Sequence, residues 1–226
     1  MPSYAAIVDA FAERGLMVRG GFYPTPLDPV PTLSDGAPVR TLVLIGNAGG
    51  AMWRHFAGER RDEPHPLDAW TRRIVAPIAV GSDATAVYPS DRPFQPFQRW
   101  ALRAEPVYPS PIGLLIHPDF GLWHAYRAAL LFAEFVPGVP SSDDRPAPCD
   151  TCSGRPCLSA CPVGAFSASG YDVGACAGHL ASAAAPRCRA LGCRAREACP
   201  VAPEHRYEAA QIGFHMAAFA RSRASS

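Results

Sequence analysis

The chain has 226 residues, 48% of them apolar, which suits one large domain or one domain with a small module around a sizeable core. A net charge of +1 without long like-charge blocks argues against a polybasic nucleic-acid or membrane partner. All 21 basic residues are arginine, which excludes a Schiff-base lysine and the lysine of a phosphate-binding loop.

The first 15 residues lack the basic and then apolar order of a secretory signal, because Asp9 and Glu13 interrupt them. No run approaches the roughly 18–20 apolar residues that span a bilayer. We therefore expect a cytoplasmic protein. In that reducing compartment, clustered cysteines favour metal or redox chemistry over disulfides.

The apolar periodicity alternates between helical and extended patterns along the chain. In chain order it first predicts a helix over 3–14, a loop containing Gly20, Gly21 and five prolines between 24 and 38, a strand at Thr41–Ile45 and a plain turn over 46–50. Helices from about 51 and over 66–76, a strand at 84–88 and a helix through 97–102 follow. The remaining predictions are a strand at Pro111–Ile116, a helix or strand at 128–136, and a final helix through 207–223. This order has no regular βαβ rhythm, so it favours an α+β fold over a doubly wound sheet.

A proline-rich polar linker over 137–148 divides the sequence. We predict an α+β cofactor-binding body over 1–140, closed by a C-terminal helix over 203–223 that packs back on it. The intervening residues 141–202 form the predicted cysteine module.

All 8 cysteines lie between Pro148 and Pro200, and each half of this stretch ends in Cys-Pro. Thiolates at such spacing predict two [4Fe-4S] clusters in a ferredoxin-like module. In two-cluster ferredoxins the last cysteine of each motif ligates the other cluster, which assigns four ligands to each cluster here. Cluster A takes Cys149, Cys152, Cys157 and Cys199, and cluster B takes Cys161, Cys176, Cys188 and Cys193.

Two other interpretations of the cysteines stay open at this point. Two four-cysteine zinc sites are one, although zinc ribbons favour paired C-x2-C knuckles and only one such pair exists, Cys149 and Cys152. Disulfides are the other.

The cysteine arrangement, with the lone Cys176 well before the last Cys-Pro, resembles epoxyqueuosine reductases and corrinoid-dependent reductive dehalogenases. The body resembles a second family in the block Gly113-Leu-Leu-Ile-His-Pro-Asp-Phe-Gly-Leu-Trp-His-Ala-Tyr-Arg127. This block is similar to the IHPxFGGWFAIRG motif of the cblC-type cobalamin-processing proteins, and Pro203-Glu-His-Arg-Tyr207 with Gln211 is similar to their P-x-E-R-Y-x-x-x-Q.

These resemblances imply a flavin-reductase-like (nitroreductase-related) α+β body that binds cobalamin, with two clusters as the electron source. They imply an upstream donor of the flavodoxin or ferredoxin reductase type, and a small-molecule cofactor as the other partner. The residues predicted to bind this cofactor are His117, Trp123, Tyr126, Arg127, Arg206 and Tyr207. No catalytic acid or base is assigned.

Structural roles for the same residues are the competing interpretation. His117 precedes a proline and is also suited to a turn, Trp123 to a core and Arg127 to an ion pair. The functional hypotheses are therefore an oxidoreductase that passes electrons to a corrinoid or flavin, a non-catalytic ferredoxin-type electron carrier, and a zinc-stapled structural protein.

Overall fold

The computed structural model describes residues 3–140, 145–167 and 170–224. By their contacts these residues form two compact units. The first contains residues 3–106 and 124–140, and the second contains 107–123, 145–167 and 170–224. The domain boundaries predicted from the sequence place residues 107–123 and the final helix in the body, whereas the contacts between residues group both with the cysteines. Residues 141–144 of the predicted linker lie outside the described part of the chain.

The fold is mixed α+β, as the sequence predicted. The strands are β1 (Met17–Phe22), β2 (Thr41–Ala48), β3 (Ala84–Val87), β4 (Tyr108–Pro109), β5 (Leu115–Ile116), β6 (His124–Phe132), β7 (Phe166–Ser167) and β8 (Gly170–Tyr171). The α-helices are α1 (Tyr4–Ala12), α2 (Ala51–Glu59), α3 (Pro66–Gly81), α4 (Phe97–Ala104), α5 (Pro156–Ser159), α6 (Val173–Ala181), α7 (Pro186–Leu191), α8 (Arg194–Glu197) and α9 (Ala209–Ala224), and Pro203–His205 form a 3₁₀ turn.

The first unit is built on a four-stranded antiparallel sheet in the order β1-β2-β6-β3. The central strands are buried on both faces, since the consecutive residues 41–47 of β2 and 128–132 of β6 are all buried. Helices α1 to α4 contact the sheet. The apolar runs that predicted two core strands thus form the middle of this sheet.

Three predictions of the body's secondary structure need correction. Residues 17–22, expected in a loop, form β1, whose pairing with β2 shifts register between Val18 and Gly21. The expected strand Pro111–Ile116 is reduced to β5, because the backbone N–H groups of Ser110 and Gly113 close a turn over 110–114. Of the two alternatives for residues 128–136, the structure shows a strand, which begins earlier, at His124.

A buried ion pair lies inside the first unit. The guanidinium of Arg19, 1% exposed, donates from Nε and Nη2 to the two carboxylate oxygens of Glu105 at 3.0 and 2.8 Å. The hydroxyl of Tyr126 donates to the same carboxylate, and Arg19 Nη1 donates to the carbonyl of Asn47 at 3.3 Å. Burial and the Glu105 charge raise the pKa of Tyr126, so its hydroxyl keeps its proton and remains a donor.

The second unit consists of short elements around two apolar clusters. One cluster contains Ile112, Ile116, Leu122, Phe166, Ala195 and Cys199. The other contains Leu180, Ala185 and Cys188, with Met216 and Phe219 of α9 packed against it. Helix α9 contacts α6 and α7 in this unit. No helix among the described residues is long and apolar enough to cross a membrane.

Candidate functional site

The eight cysteines are free thiols in the second unit, and the short helices α5 and α8 place four of them. Cys157 lies on α5 and Cys161 follows it, while Cys193 precedes α8 and Cys199 follows it. The two helices contact each other. Each helix therefore links two thiols, which are four residues apart at α5 and six residues apart at α8.

One group of interacting thiols contains Cys149, Cys152, Cys157 and Cys199. Burial raises the pKa of Cys149, and the charges of the other three thiols raise it further. Burial likewise raises the pKa of Cys199, which Cys157 and Cys152 raise further. Mutual repulsion of this kind requires the four sulfur atoms to lie near one another.

The other group contains Cys161, Cys176, Cys188 and Cys193. Burial raises the pKa of Cys188, and the charges of Cys161 and Cys176 raise it further. Burial is also the largest cause that raises the pKa of Cys193, with Cys176 and Cys161 adding to it. The two groups have the same membership as the two ligand sets that the cysteine spacing predicts.

Backbone N–H groups point at several of these sulfur atoms. Ala165 N–H donates to Cys161 Sγ at 3.4 Å, and the amides of Ala195 and Arg196 donate to Cys193 at the start of α8. The amide of Val201 donates to Cys199. Such donors favour the thiolate form of cysteine, which is the form that binds metal.

Tyr171 supplies a side-chain donor to the second group. Burial raises its pKa, and a hydrogen bond with Cys176 raises it further. Its ring stacks on Phe166 at 4.6 Å. The spacing of the cysteines gave no signal for this tyrosine, because it lies on β8 outside any cysteine motif.

A cavity of about 20 Å³ is lined by the four sulfur-bearing side chains of the first group. Three prolines, Pro148, Pro156 and Pro200, and apolar side chains of the surrounding core complete most of the wall. The buried hydroxyl of Ser110, also in the lining, has no hydrogen-bond partner among the described residues. Four thiols around a largely apolar space are the ligand type of an iron–sulfur cluster, whose inorganic sulfides accept hydrogen bonds.

Within residues 3–140, 145–167 and 170–224, no three His, Cys, Asp or Glu side chains have the spacing that one metal ion requires. A cubane cluster distributes its four thiolates over four iron atoms, so its ligands stand farther apart than those of a single ion.

The predicted pocket residues fall in both units. In the first unit Tyr126 bonds to Glu105, and Arg127 Nε donates to Asn47 Oδ1 at 3.1 Å. In the second unit Arg206 Nη2 donates to the carbonyl of Glu197 at 2.7 Å, at the end of α8. Each of these side chains thus has a bonding partner within its own unit.

His117 lies in a tight turn that returns the chain to Gly121 by paired backbone hydrogen bonds. Its Nδ1 accepts the backbone N–H of Asp119 at 3.0 Å, and its ring stacks on Phe120 at 4.6 Å. Gly121 has a φ of +56°, and a Cβ there would stand 2.3 Å from the carbonyl oxygen of Val201. The turn therefore packs tightly against the segment that follows Cys199.

Trp123 and Tyr207 are brought together, with ring centroids 5.5 Å apart. Arg196 contacts both rings, its Cζ lying 4.4 Å from the Trp123 centroid and 4.7 Å from that of Tyr207. Its Nε also donates to the carbonyl of Leu122 at 3.1 Å. Sequence reasoning missed Arg196, because it lies between two cysteines and belongs to no motif.

These rings line a second cavity, of about 40 Å³, that is partly open to solvent. Cys193 of the second thiol group lies in its wall, together with Arg196 and the side chains of α9 that face it. The indole Nε1 of Trp123, whose side chain is buried, has no hydrogen-bond partner among the described residues.

Comparison of the chain with the profiles of known protein families and with curated proteins finds no match.

Proposed function

We propose that the protein is an iron–sulfur redox protein that carries electrons through two [4Fe-4S] clusters to a small-molecule acceptor. The observation that supports the proposal is the arrangement of Cys149, Cys152, Cys157 and Cys199 around one cavity, with the other four thiols partly buried in the same unit. Cys149, Cys152, Cys157 and Cys199 hold the first cluster, and Cys161, Cys176, Cys188 and Cys193 hold the second. When bound, such clusters supply one-electron transfer at potentials that the surrounding protein sets.

The chain's own residues define the surroundings of the two clusters. The amides of Ala165, Ala195 and Val201 donate to thiolate sulfurs and offset their negative charge. Tyr171 adds a hydroxyl donor at Cys176. The apolar cluster around Ile112 and Leu122 limits the access of water to the first group.

The acceptor is proposed as a corrinoid or a flavin, on the resemblance of residues 113–127 to the cobalamin-processing proteins. The protein is then an oxidoreductase whose second cluster donates the electrons. The alternative of a non-catalytic electron carrier shares the thiol groups and differs in binding no such acceptor.

The test is anaerobic reconstitution followed by iron, sulfide and zinc analysis with a visible spectrum. We expect a brown protein with about eight irons and eight sulfides per chain, from four of each in every cluster. A colourless protein with stoichiometric zinc would contradict the proposal.

A matched pair of variants tests the division of ligands. Cys193→Ser and Cys199→Ser alter thiols at opposite ends of α8 that belong to different groups. Each variant is expected to keep about half of the iron, in clusters with different electron paramagnetic resonance signals. Identical spectra from the two variants would overturn the division. Titration of the reconstituted protein with cob(II)alamin and with flavin then separates a reductase from a carrier.

A further inference from the structure

The cavity beside Cys193 has the chemistry of a binding site for a small anion. Its lining contains Arg196 and no Asp or Glu side chain. The guanidinium of Arg196 uses Nε and Nη2 on the carbonyl of Leu122, which leaves Nη1 without a hydrogen bond or ion pair among the described residues. One positive charge in this wall is therefore not neutralised.

Trp123 adds a second donor to the same wall. The side chain is 3% exposed, and its Nε1–H finds no acceptor in the described part of the chain. A buried donor without an acceptor is costly, so a ligand oxygen at this position stabilises the site. An edge-to-face contact with Tyr207 and a cation–π contact with Arg196 hold the indole ring in place.

The rest of the lining is apolar for the most part, with His215 as a further polar side chain. Leu191, Ile212 and Met216 belong to it, and Gly192 lets the backbone approach Ile212 closely. The cavity has a volume of about 40 Å³, below the range for whole-ligand pockets, so it admits a group of the size of a carboxylate while the rest of a ligand lies along its open side. The site thus combines a charged donor, a neutral donor and an apolar wall.

We propose that this cavity binds a small carboxylic acid with an apolar body, its carboxylate on Arg196 and Trp123. The body of the ligand packs on Leu191, Ile212 and Met216. The carboxylate site is independent of the metal proposal. Its consequence for electron transfer rests on the proposed function: a bound negative charge near Cys193 disfavours electron addition and lowers the reduction potential of the second cluster.

The experiment is calorimetric titration of the full chain with benzoate, with benzyl alcohol as the neutral analogue and inorganic phosphate as a second anion. We expect benzoate to bind and the other two to bind at least about tenfold more weakly, since a charge-assisted hydrogen bond is lost in one and the apolar contact in the other. Equal binding of benzoate and benzyl alcohol, or of benzoate and phosphate, overturns the proposal.

Three variants locate the site. Arg196→Gln is expected to weaken benzoate binding by about tenfold or more, and Trp123→Phe by a smaller factor that still exceeds error. Arg194→Gln is the matched control, because Arg194 lies on the same helix, pairs with Glu197 at 2.8 Å and is outside the lining. Circular dichroism checks the fold of each variant, and Trp123→Phe keeps the aromatic packing if Arg196→Gln does not fold. An equal loss in Arg194→Gln overturns the assignment.

Potentiometry separates this inference from the proposed function. If the protein is brown and benzoate lowers the reduction potential of its second cluster, both the carboxylate site and the proposed function are supported. A brown protein that does not bind benzoate overturns the carboxylate site alone. A colourless protein that binds benzoate through Arg196 overturns the cluster proposal and leaves the carboxylate site standing.

Discussion

The first unit encloses one paired charge in an apolar interior, whereas the second gathers eight thiols around short helices. In the first, Arg19 and Glu105 neutralise each other inside a sheet whose central strands are buried on both faces. In the second, the pKa values of five cysteines are raised, because the thiols are buried and because ionised sulfurs would repel one another. The charge buried in the first unit is thus balanced within that unit, whereas the thiols of the second unit destabilise one another when they ionise.

The largest expected effect is in the first unit. Glu105→Ala leaves the guanidinium of Arg19 buried without its carboxylate, and we expect it to lower the free energy of unfolding by about 3–5 kcal/mol. Urea denaturation and hydrogen exchange of the amides of β2 and β6 measure this loss. The matched control is Arg103→Ala, which breaks the more exposed pair with Asp28 and costs less than about 1 kcal/mol. Equal losses would remove the distinction between a buried and a surface pair.

An intermediate effect is expected in the turn beside the first thiol group. Gly121→Ala and Gly113→Ala both place a side chain on a left-handed backbone, which costs about 1–2 kcal/mol. A Cβ at 121 also meets the Val201 carbonyl oxygen at 2.3 Å, whereas nothing lies within 4 Å of one at 113.

Gly121→Ala is therefore expected to cost a further 1–3 kcal/mol or so, the range for overpacking. It also displaces the segment whose amide donates to Cys199. Thermal unfolding followed by hydrogen exchange in residues 107–123 measures the difference. Equal destabilisation by the two substitutions would show that the turn is not tightly packed against Val201.

The smallest effect is a pH dependence that begins in the second unit, because its thiols ionise at a lower pH than the buried tyrosines of the first unit. Burial and neighbouring thiols raise the pKa of Cys149, Cys188 and Cys193 above the ordinary value of 9.0, so the folded chain keeps protons that the unfolded chain releases. Its stability is full below that value and falls as the pH rises through 9.0 and beyond.

Melting of the reduced, metal-free protein between about pH 7 and about pH 9.5, below the ionisation of tyrosines in the unfolded chain, measures this dependence. The Cys193→Ser variant is expected to show a shallower fall. A melting temperature that does not change with pH would contradict the contrast between the two units. An equal loss of hydrogen-exchange protection in the sheet of the first unit would contradict it as well.

The sequence was most informative where chemistry or periodicity is local. Long apolar runs predicted the core strands of the sheet, and helical spacing predicted α2, α3 and α4. It failed at β1, where Gly20 and Gly21 look like loop residues but lie beside a register shift, which a local pattern does not encode. It also failed at residues 110–114, where backbone hydrogen bonds form a turn in an apolar run.

The site shows the same limit. The cysteine spacing predicts two sets of four thiol ligands, because each Cys-Pro motif has a recognisable form. It does not supply Arg196 or Tyr171, whose positions depend on how α8 and β8 pack after the chain has folded. Arg196 becomes informative only when Trp123 and Tyr207, 84 residues apart in the chain, are found in contact with each other and with its guanidinium.

Helices α5 and α8 each carry one thiol of both groups, Cys157 with Cys161 and Cys199 with Cys193. In the proposed dicluster form, the first cluster to assemble therefore places two ligands of the second through the short segments 157–161 and 193–199. In the unsubstituted chain the second cluster then assembles more readily than the first. The same links give a short covalent route between the two redox centres, so an electron that enters at one is shared rapidly with the other.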